Sequence, residues 1–316
     1  MMSDCPVLIT CPAGETPRAS SDPVLQGGLQ PPGPLRRTCR GATQTASNGA
    51  RAMSFSTHFT HAITRRPAAS IIRGLRAVDT GTPDLAVMQS HHDAYIATLK
   101  ETGATVLELP SLEAYPDSVF VEDTALCLPQ GTVVMRPGAP SRLGEAAEMA
   151  PQLQALYRQV VAITGPDSFI EGGDILVTER EILVGRSART NAAGIAELTA
   201  LVTPWGHRVR EVHTPAGVLH FKTDCSLLDA DTVLSTRRLS ASGCFDSYRV
   251  IDVAEGEEAA ANTIRFNDLV LMAAGFPRTR DAIAAAGLTV REIGNSECAK
   301  LDGGMSCLSL RFTPHQ

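Results

Sequence analysis

Chemically active side chains recur along this chain at nearly constant spacing. Glu122, Glu171 and His220 lie 49 residues apart, and Asn262 and Cys307 follow after 42 and 45 residues. Near each, the apolar pattern predicts strands. Val119–Cys127 and Thr132–Met135 predict a hairpin around Pro129-Gln130-Gly131, and Leu219–Leu228 and Thr232–Ser235 another around Asp229-Ala230-Asp231. Ala261–Phe266 and Leu269–Met272 pair across Asn267-Asp268, while Phe169–Ile170, Asp174–Val177 and Glu181–Val184 read as strands between them. Helical spacing marks 84–102, 145–161, 191–201 and 281–286, with further strands at 61–65, 105–109, 288–292 and 308–312. A strand pair and a helix in each interval is the signature of a radial repeat. Five units fit, the first closed by the strand at 61–65, and each would bring one polar residue to a common axis. An ordinary mixed α/β sheet with evenly spaced hairpins is the alternative that spacing leaves open.

The 316 residues are 43% hydrophobic, enough for a sizeable core. A formal net charge of −6 gives no reason to expect nucleic acid or an anionic membrane as partner. No apolar run approaches the ~20 residues of a membrane span. None of the eight cysteines forms a CxxC pair, so a zinc knuckle is not indicated, and free thiols in a reducing cytosol are expected. Residues 1–52 differ from the rest. They hold no aromatic residue, seven Pro, six Gly and a charge of +2, the composition of disorder. Periodic sequence begins just after Met53. A disordered or upstream extension over 1–52 and one catalytic α/β domain over 53–316 are expected.

The loop Leu301-Asp302-Gly303-Gly304-Met305-Ser306 delivers Cys307 onto the last strand. A lone cysteine is more often a buried inert thiol, but the double glycine lets backbone approach a ligand closely and favours a nucleophile. His220 lies in a strand-like run and Glu171 at the turn Glu171-Gly172-Gly173-Asp174. A core histidine and a turn cap are their ordinary roles. With a thiol they supply the minimal parts of covalent catalysis with an oriented base. Asp117, Glu122 and Asp123 crowd one segment. A solvated edge would tolerate them, but the apolar runs on both sides favour a buried cation site. No histidine flanks them at ligand spacing, so the cation is not read as a metal. Arg136 and Arg142 on a Pro/Gly-shaped turn, and Arg189 just before a helix, suit bidentate capture of a carboxylate. A substrate with a cationic end and a carboxylate end is implied, and arginine derivatives fit.

The segments PDSVFVED, RPGAPSR, EGGD, GRSARTN, LHFKTDCS and LDGGMSC stand in the order found in dimethylarginine dimethylaminohydrolases, and residues 59–313 resemble that family. The resemblance implies the five-bladed α/β propeller, or pentein, of pseudo-fivefold ββαβ-type repeats around a central active site. It implies hydrolysis of Nω-methylated L-arginine to L-citrulline and methylamine or dimethylamine, without metal or organic cofactor. It matches Cys307 to the nucleophile, His220 to the general acid/base and Glu171 to the acid that orients it. Asp117 and Asp123, with Glu122 beside them, match carboxylates that hold the guanidinium and α-amino ends. Arg142 and Arg189 match binders of the α-carboxylate, Leu75 a lid residue, and Leu301 or Asp302 a backbone contact. The implied partner is a small molecule, not nucleic acid or membrane, with a homodimer as the candidate assembly. An arginine deiminase-type hydrolase and a non-catalytic relative of the same fold are the rival readings.

Overall fold

In the computed structural model, which describes residues 54–314, fifteen strands form five three-stranded sheets. The expected extension over 1–52 lies outside the described residues. The first sheet joins β1 (His61–Arg65) to β2 (Thr105–Leu109) and to the last strand of the chain, β15 (Leu310–Phe312). The second is β3 (Ala125–Leu128), β4 (Gly131–Val134) and β5 (Val160–Ala162). The third is β6 (Ile175–Val177), β7 (Ile182–Arg186) and β8 (Val209–His213). The fourth is β9 (Cys225–Leu227), β10 (Thr232–Ser235) and β11 (Arg249–Asp252), and the fifth β12 (Ile264–Phe266), β13 (Leu269–Ala273) and β14 (Thr289–Ile293). Every central strand pairs antiparallel with one neighbour and parallel with the other. The parallel partner needs a crossover. Helices α1 (Leu85–Glu101), α2 (Leu143–Gln154), α3 (Ala192–Val202), α4 (Arg237–Ser240) and α5 (Pro277–Ala285) supply it, and α6 (Ser296–Ala299) precedes the cysteine loop. Asp84 caps α1 by accepting from the amides of Ala86 and Val87, and Asn191 caps α3 by accepting from Gly194.

The hydrophobic core is divided among the gaps between successive sheets. Ile63 and Leu310 of the first sheet meet Ala125 and Val134 of the second. Leu126 and Val133 meet Ile175 and Val184 of the third, and Leu176 and Leu183 meet Cys225 and Val233 of the fourth. Leu234 meets Val270 and Met272 of the fifth, and Leu271 and Phe266 return to Ala62. Neighbouring residues such as Ile175 and Leu176 thus enter different gaps, because side chains alternate across a strand. Five gaps close a ring, so the radial repeat holds and the flat-sheet alternative does not.

The central strands β4, β7 and β10 are buried on both faces along nearly their whole length, which explains their largely apolar sequence. The third strands are half exposed, and β5, β8 and β11 carry too little pattern to be read in advance. The helix expected over 145–161 stops at Gln154 for this reason, its end belonging to the approach to β5. Three expected strands also begin too early. Val121–Thr124, Phe221–Thr223 and Glu258–Ala261 are 3-10 turns leading into β3, β9 and β12. The apolar residues that suggested longer strands, such as Val119, Val121 and Phe221, are buried between sheets and extend no ladder. Among the described residues, no helix is long and apolar enough to cross a membrane.

Candidate active site

The 3-10 turns before the inner strands meet around the axis. Val121–Thr124 touches Ser306–Leu308 on one side and Gly172–Asp174 on the other, which touches Phe221–Thr223, which touches Glu258–Ala261. A Cβ at Gly172 would lie 1.9 Å from the carbonyl oxygen of Glu122, and one at Gly173 2.9 Å from Cγ of His220. The double glycine after Glu171 is therefore what lets three units converge. The turns carry Glu122, Glu171, His220, Asn262 and Cys307, the five residues of the sequence repeat.

One pocket at this convergence is lined by Leu75, Asp117, Phe120, Asp123, Arg142, Arg189, Leu219, His220, Leu301, Asp302, Gly303 and Cys307. The His220 Nε2 atom is 2.6 Å from Glu171 Oε2. Glu171 is fully buried, and its Oε1 accepts from the Gly138 amide at 2.9 Å and faces Arg189 Nη1 at 3.3 Å. Burial alone would raise the Glu171 carboxyl. The hydrogen bond and charge of His220, with Arg142 and Arg189, overcome it and bring the group down to about 2. Burial likewise opposes the imidazolium, but Asp174, Asp123 and Glu171 raise His220 to about 9. Asp174 itself is buried, accepts from the Phe221 amide at 2.8 Å and from Ser187 Oγ at 2.7 Å, and so braces the histidine turn. Cys307 is half-buried. Desolvation in the narrow pocket, with Glu122 and Asp123 nearby, pushes its thiol up to about 12 against the Gly304 amide and Lys222. The surroundings thus favour the protonated form at both groups, a thiol beside an imidazolium.

The three clustered carboxylates face two ways. Asp117 Oδ1 accepts from the amide of Leu75 at 2.9 Å, and burial raises its carboxyl. Asp123 Oδ1 accepts from Gly173 N at 2.8 Å, and its Oδ2 lies 2.5 Å from Arg142 Nη1. Glu122 corrects the expectation that it joins them at the substrate. It lines a separate cavity of about 110 Å³ behind the turns, held 2.6 Å from both Lys222 and Arg311 and 2.7 Å from Ser306 Oγ. Adjacent residues of a tight turn point to opposite sides of the ring. The cations foreseen for this acidic segment are thus partly the protein's own.

Arg142 departs from expectation too. Although it lines the pocket, its Nε and Nη2 donate to Glu145 Oε2, Nη2 also donates to the Phe120 carbonyl, and Nη1 pairs with Asp123. One Nη1 hydrogen remains for a ligand. Burial lifts Glu145 to about 7 against the pull of Arg142, and its Oε1 has no partner. Arg189 is more open, with 19% of its side chain exposed. Arg136, the third arginine of the expected set, lies over the Phe169 ring and donates to Pro166 O, away from the pocket. Leu75 covers the mouth from a segment tied at Ala77 N to Asp302 Oδ2 at 2.6 Å. The carboxylate of Asp302, not only its backbone, is thus engaged. The partners Asp174, Glu145, Lys222 and Arg311 were not singled out from sequence. Glu145 had one signal, its i,i+3 placement from Arg142 at a helix start.

Among the described residues, Asp123, Glu171 and His220 bring three possible ligand atoms within 4.8 Å of one another. A histidine raised to about 9 must lose its proton to bind an ion, and both carboxylates already hold cationic partners. The three side chains already balance one another's charge with the neighbouring arginines.

Residues 112–275 match the family model described as arginine deiminase. The N(G),N(G)-dimethylarginine dimethylaminohydrolase of Pseudomonas aeruginosa is 39% identical over 254 residues, spanning 80% of this chain and all of that protein. The structure of a cysteine-to-serine variant of the P. aeruginosa enzyme complexed with citrulline superposes with a TM-score of 0.79, at 39% identity, over 81% of this chain and all of that one. The adduct of a histidine-to-glycine variant of a dimethylarginine dimethylaminohydrolase with S-methyl-L-thiocitrulline gives 0.78, again at 39% identity, over 80% of this chain and all of that one. With this identity along the whole described ring, the chain belongs to the dimethylarginine dimethylaminohydrolase family of the arginine deiminase, or pentein, superfamily.

Proposed function

We propose that the protein hydrolyses Nω-methylated L-arginine to L-citrulline and dimethylamine or methylamine, with Cys307 as nucleophile, His220 as general acid/base and Glu171 as its orienting partner. The observation that carries this reading is the 2.6 Å His220–Glu171 pair, whose imidazole shares one pocket with the Cys307 thiol, edged by Asp117, Asp123 and Arg189. A guanidinium is a poor electrophile, so positioning and charge must do most of the work. Asp117 and Asp123 are the proposed anchors of the cationic end. Arg189 takes the α-carboxylate, with the remaining Arg142 hydrogen beside it.

Binding of a cation next to the sulfur favours the thiolate, and the thiol proton leaves to solvent. The sulfur attacks the guanidinium carbon, and His220 donates its proton to the departing amine as the C–N bond breaks. A thiouronium adduct remains. Neutral His220 takes a proton from water, and the hydroxide adds to the same carbon. The C–S bond then breaks, the hydroxyl proton leaves to solvent, and citrulline forms as the thiolate returns.

The deciding measurement is citrulline release from asymmetric dimethylarginine and from arginine, with Cys307→Ser as control. Turnover of the methylated substrate by wild type alone supports the reading. Turnover of arginine with none of dimethylarginine would replace it by a deiminase.

A further inference from the structure

Four of the five axial residues have an ionisable or nucleophilic side chain; the fifth, Asn262, does not. It is nevertheless buried against the cysteine loop. Its Oδ1 accepts from the Ser306 amide at 2.8 Å, and its backbone oxygen faces the Met305 amide at 3.4 Å. An amide N–H can only be met by the oxygen of the side chain, so the NH₂ group must point the other way. There it lies 3.9 Å from Cys307 Sγ. The Gly304 amide approaches the same sulfur at 3.4 Å. A Cβ on Gly304 would fall 2.2 Å from Asn262 Cγ, so the second glycine of the loop is the room that Asn262 occupies.

We propose that Asn262 is a positioning residue for Cys307: it fixes the turn that carries the sulfur and supplies a second donor that favours the thiolate over the thiol. The inference rests on Cys307 being the nucleophile. The donors matter because the narrow pocket and the carboxylates of Glu122 and Asp123 oppose ionisation of the sulfur, and Lys222 only partly offsets them. Donors to a charged acceptor draw closer and bind more strongly than donors to a neutral one. The 3.9 Å contact to the neutral thiol is thus the resting form of a bond that tightens when the proton leaves.

Asn262→Asp and Asn262→Ser together separate the lost donor from the charge that a new carboxylate adds. Asn262→Asp keeps an oxygen for the Ser306 amide, preserving the turn, and replaces the NH₂ donor with a second carboxylate oxygen. The first readout is the pH dependence of Cys307 alkylation by iodoacetamide, followed by mass spectrometry without any substrate. The second is the acidic limb of kcat for dimethylarginine. Both should move to higher pH by a unit or more, so that alkylation at a given pH slows about tenfold, while the melting temperature stays near wild type. Asn262→Ser removes the donor without adding a charge: its oxygen is too short to bring a donor to Sγ, and it should shift both profiles the same way by less, whereas a shift in Asn262→Asp alone would trace to the new carboxylate and overturn the donor role. A loss of kcat that is equal at all pH values, with the alkylation profile unmoved, overturns the proposal and leaves Asn262 a packing residue. Because alkylation needs no substrate, failure of the wild type to turn over dimethylarginine would count against the proposed function and not against this inference.

Discussion

Burial disfavours charge at both Cys307 and His220, but only the imidazole has carboxylates that overcome it. At the thiol, Gly304 N and Lys222 do not offset desolvation, whereas three carboxylates outweigh it at the imidazole. Cys307→Ser and His220→Ala are each expected to lower kcat by roughly 10³-fold or more, without adding in the double variant, as residues of one unit do. Citrulline assays check this, and near wild-type turnover by the serine variant would remove Cys307 from the mechanism. The proton on His220 makes a second prediction. In wild type, kcat/KM should fall as pH rises through about 9, where the imidazolium is lost. Glu171→Gln removes a raising partner, so the alkaline limb and the imidazole titration seen by NMR should both move down. The pair has a stability signature of definite sign. The raised imidazole stabilises fully below its unfolded value near 6.5 and loses that contribution as pH rises through about 9. The depressed Glu171 contributes above its unfolded value near 4.5 and loses it as pH falls through about 2. The two shifts describe one interaction and are not summed. Urea titrations should show the wild-type advantage over Glu171→Gln largest near pH 6, on the order of 3 kcal/mol, and shrinking toward pH 10.

Two arginines on neighbouring elements look alike in sequence and sit differently in the fold. Arg142, at the start of α2, is sealed between Asp123 and Glu145, while Arg189 precedes α3 and is partly open. Arg142→Ala leaves two buried carboxylates without their cation and should cost about 3–5 kcal/mol of stability. Arg189→Ala should leave the melting temperature nearly unchanged and chiefly raise KM. Equal losses of stability in the two variants would contradict this division of roles. The segment over the pocket is a third element with its own behaviour. In this form the pocket holds about 30 Å³, room for a water or two, so the segment around Leu75 is expected to shift when an amino acid binds. Asp302, itself in the left-handed conformation, ties that segment through the Ala77 amide. Asp302→Ala is expected to raise KM several-fold and to speed proteolytic cutting within 74–83. Unchanged cutting would show that Leu75 is held by Asp117 alone.

The molecule closes by joining its two ends. In the first sheet β15 pairs with β1 through Phe312 to His61 and Leu310 to Ile63, and Arg311 reaches Glu122 across the axis. Deleting residues 310–316 therefore removes a strand, two core side chains and a buried ion pair together. The truncated chain is expected to lose its cooperative thermal transition, followed by circular dichroism. Retention of the wild-type transition would mean the ring closes without β15. Removing 1–52 is expected to leave both the transition and kcat/KM unchanged, since a segment of that composition would gain too little apolar burial to offset its ordering entropy.

The repeat was legible because a ring of equivalent units imposes one spacing on the chain, visible from Glu122 to Cys307 without any coordinates. The apolar runs of β4, β7 and β10 were legible for the same reason, being buried on both faces. The half-exposed β5, β8 and β11 were not, because the partner strand, and not their own side chains, makes them strands. The site divides along the same line. Which residue types can act at the axis follows from sequence. Direction does not: Glu122 and Asp123 are neighbours in the chain, yet one faces Lys222 and Arg311 behind the ring and the other lines the pocket with Arg142. A one-residue step in a tight turn reverses a side chain, and only packing against the other four units decides which way the turn faces.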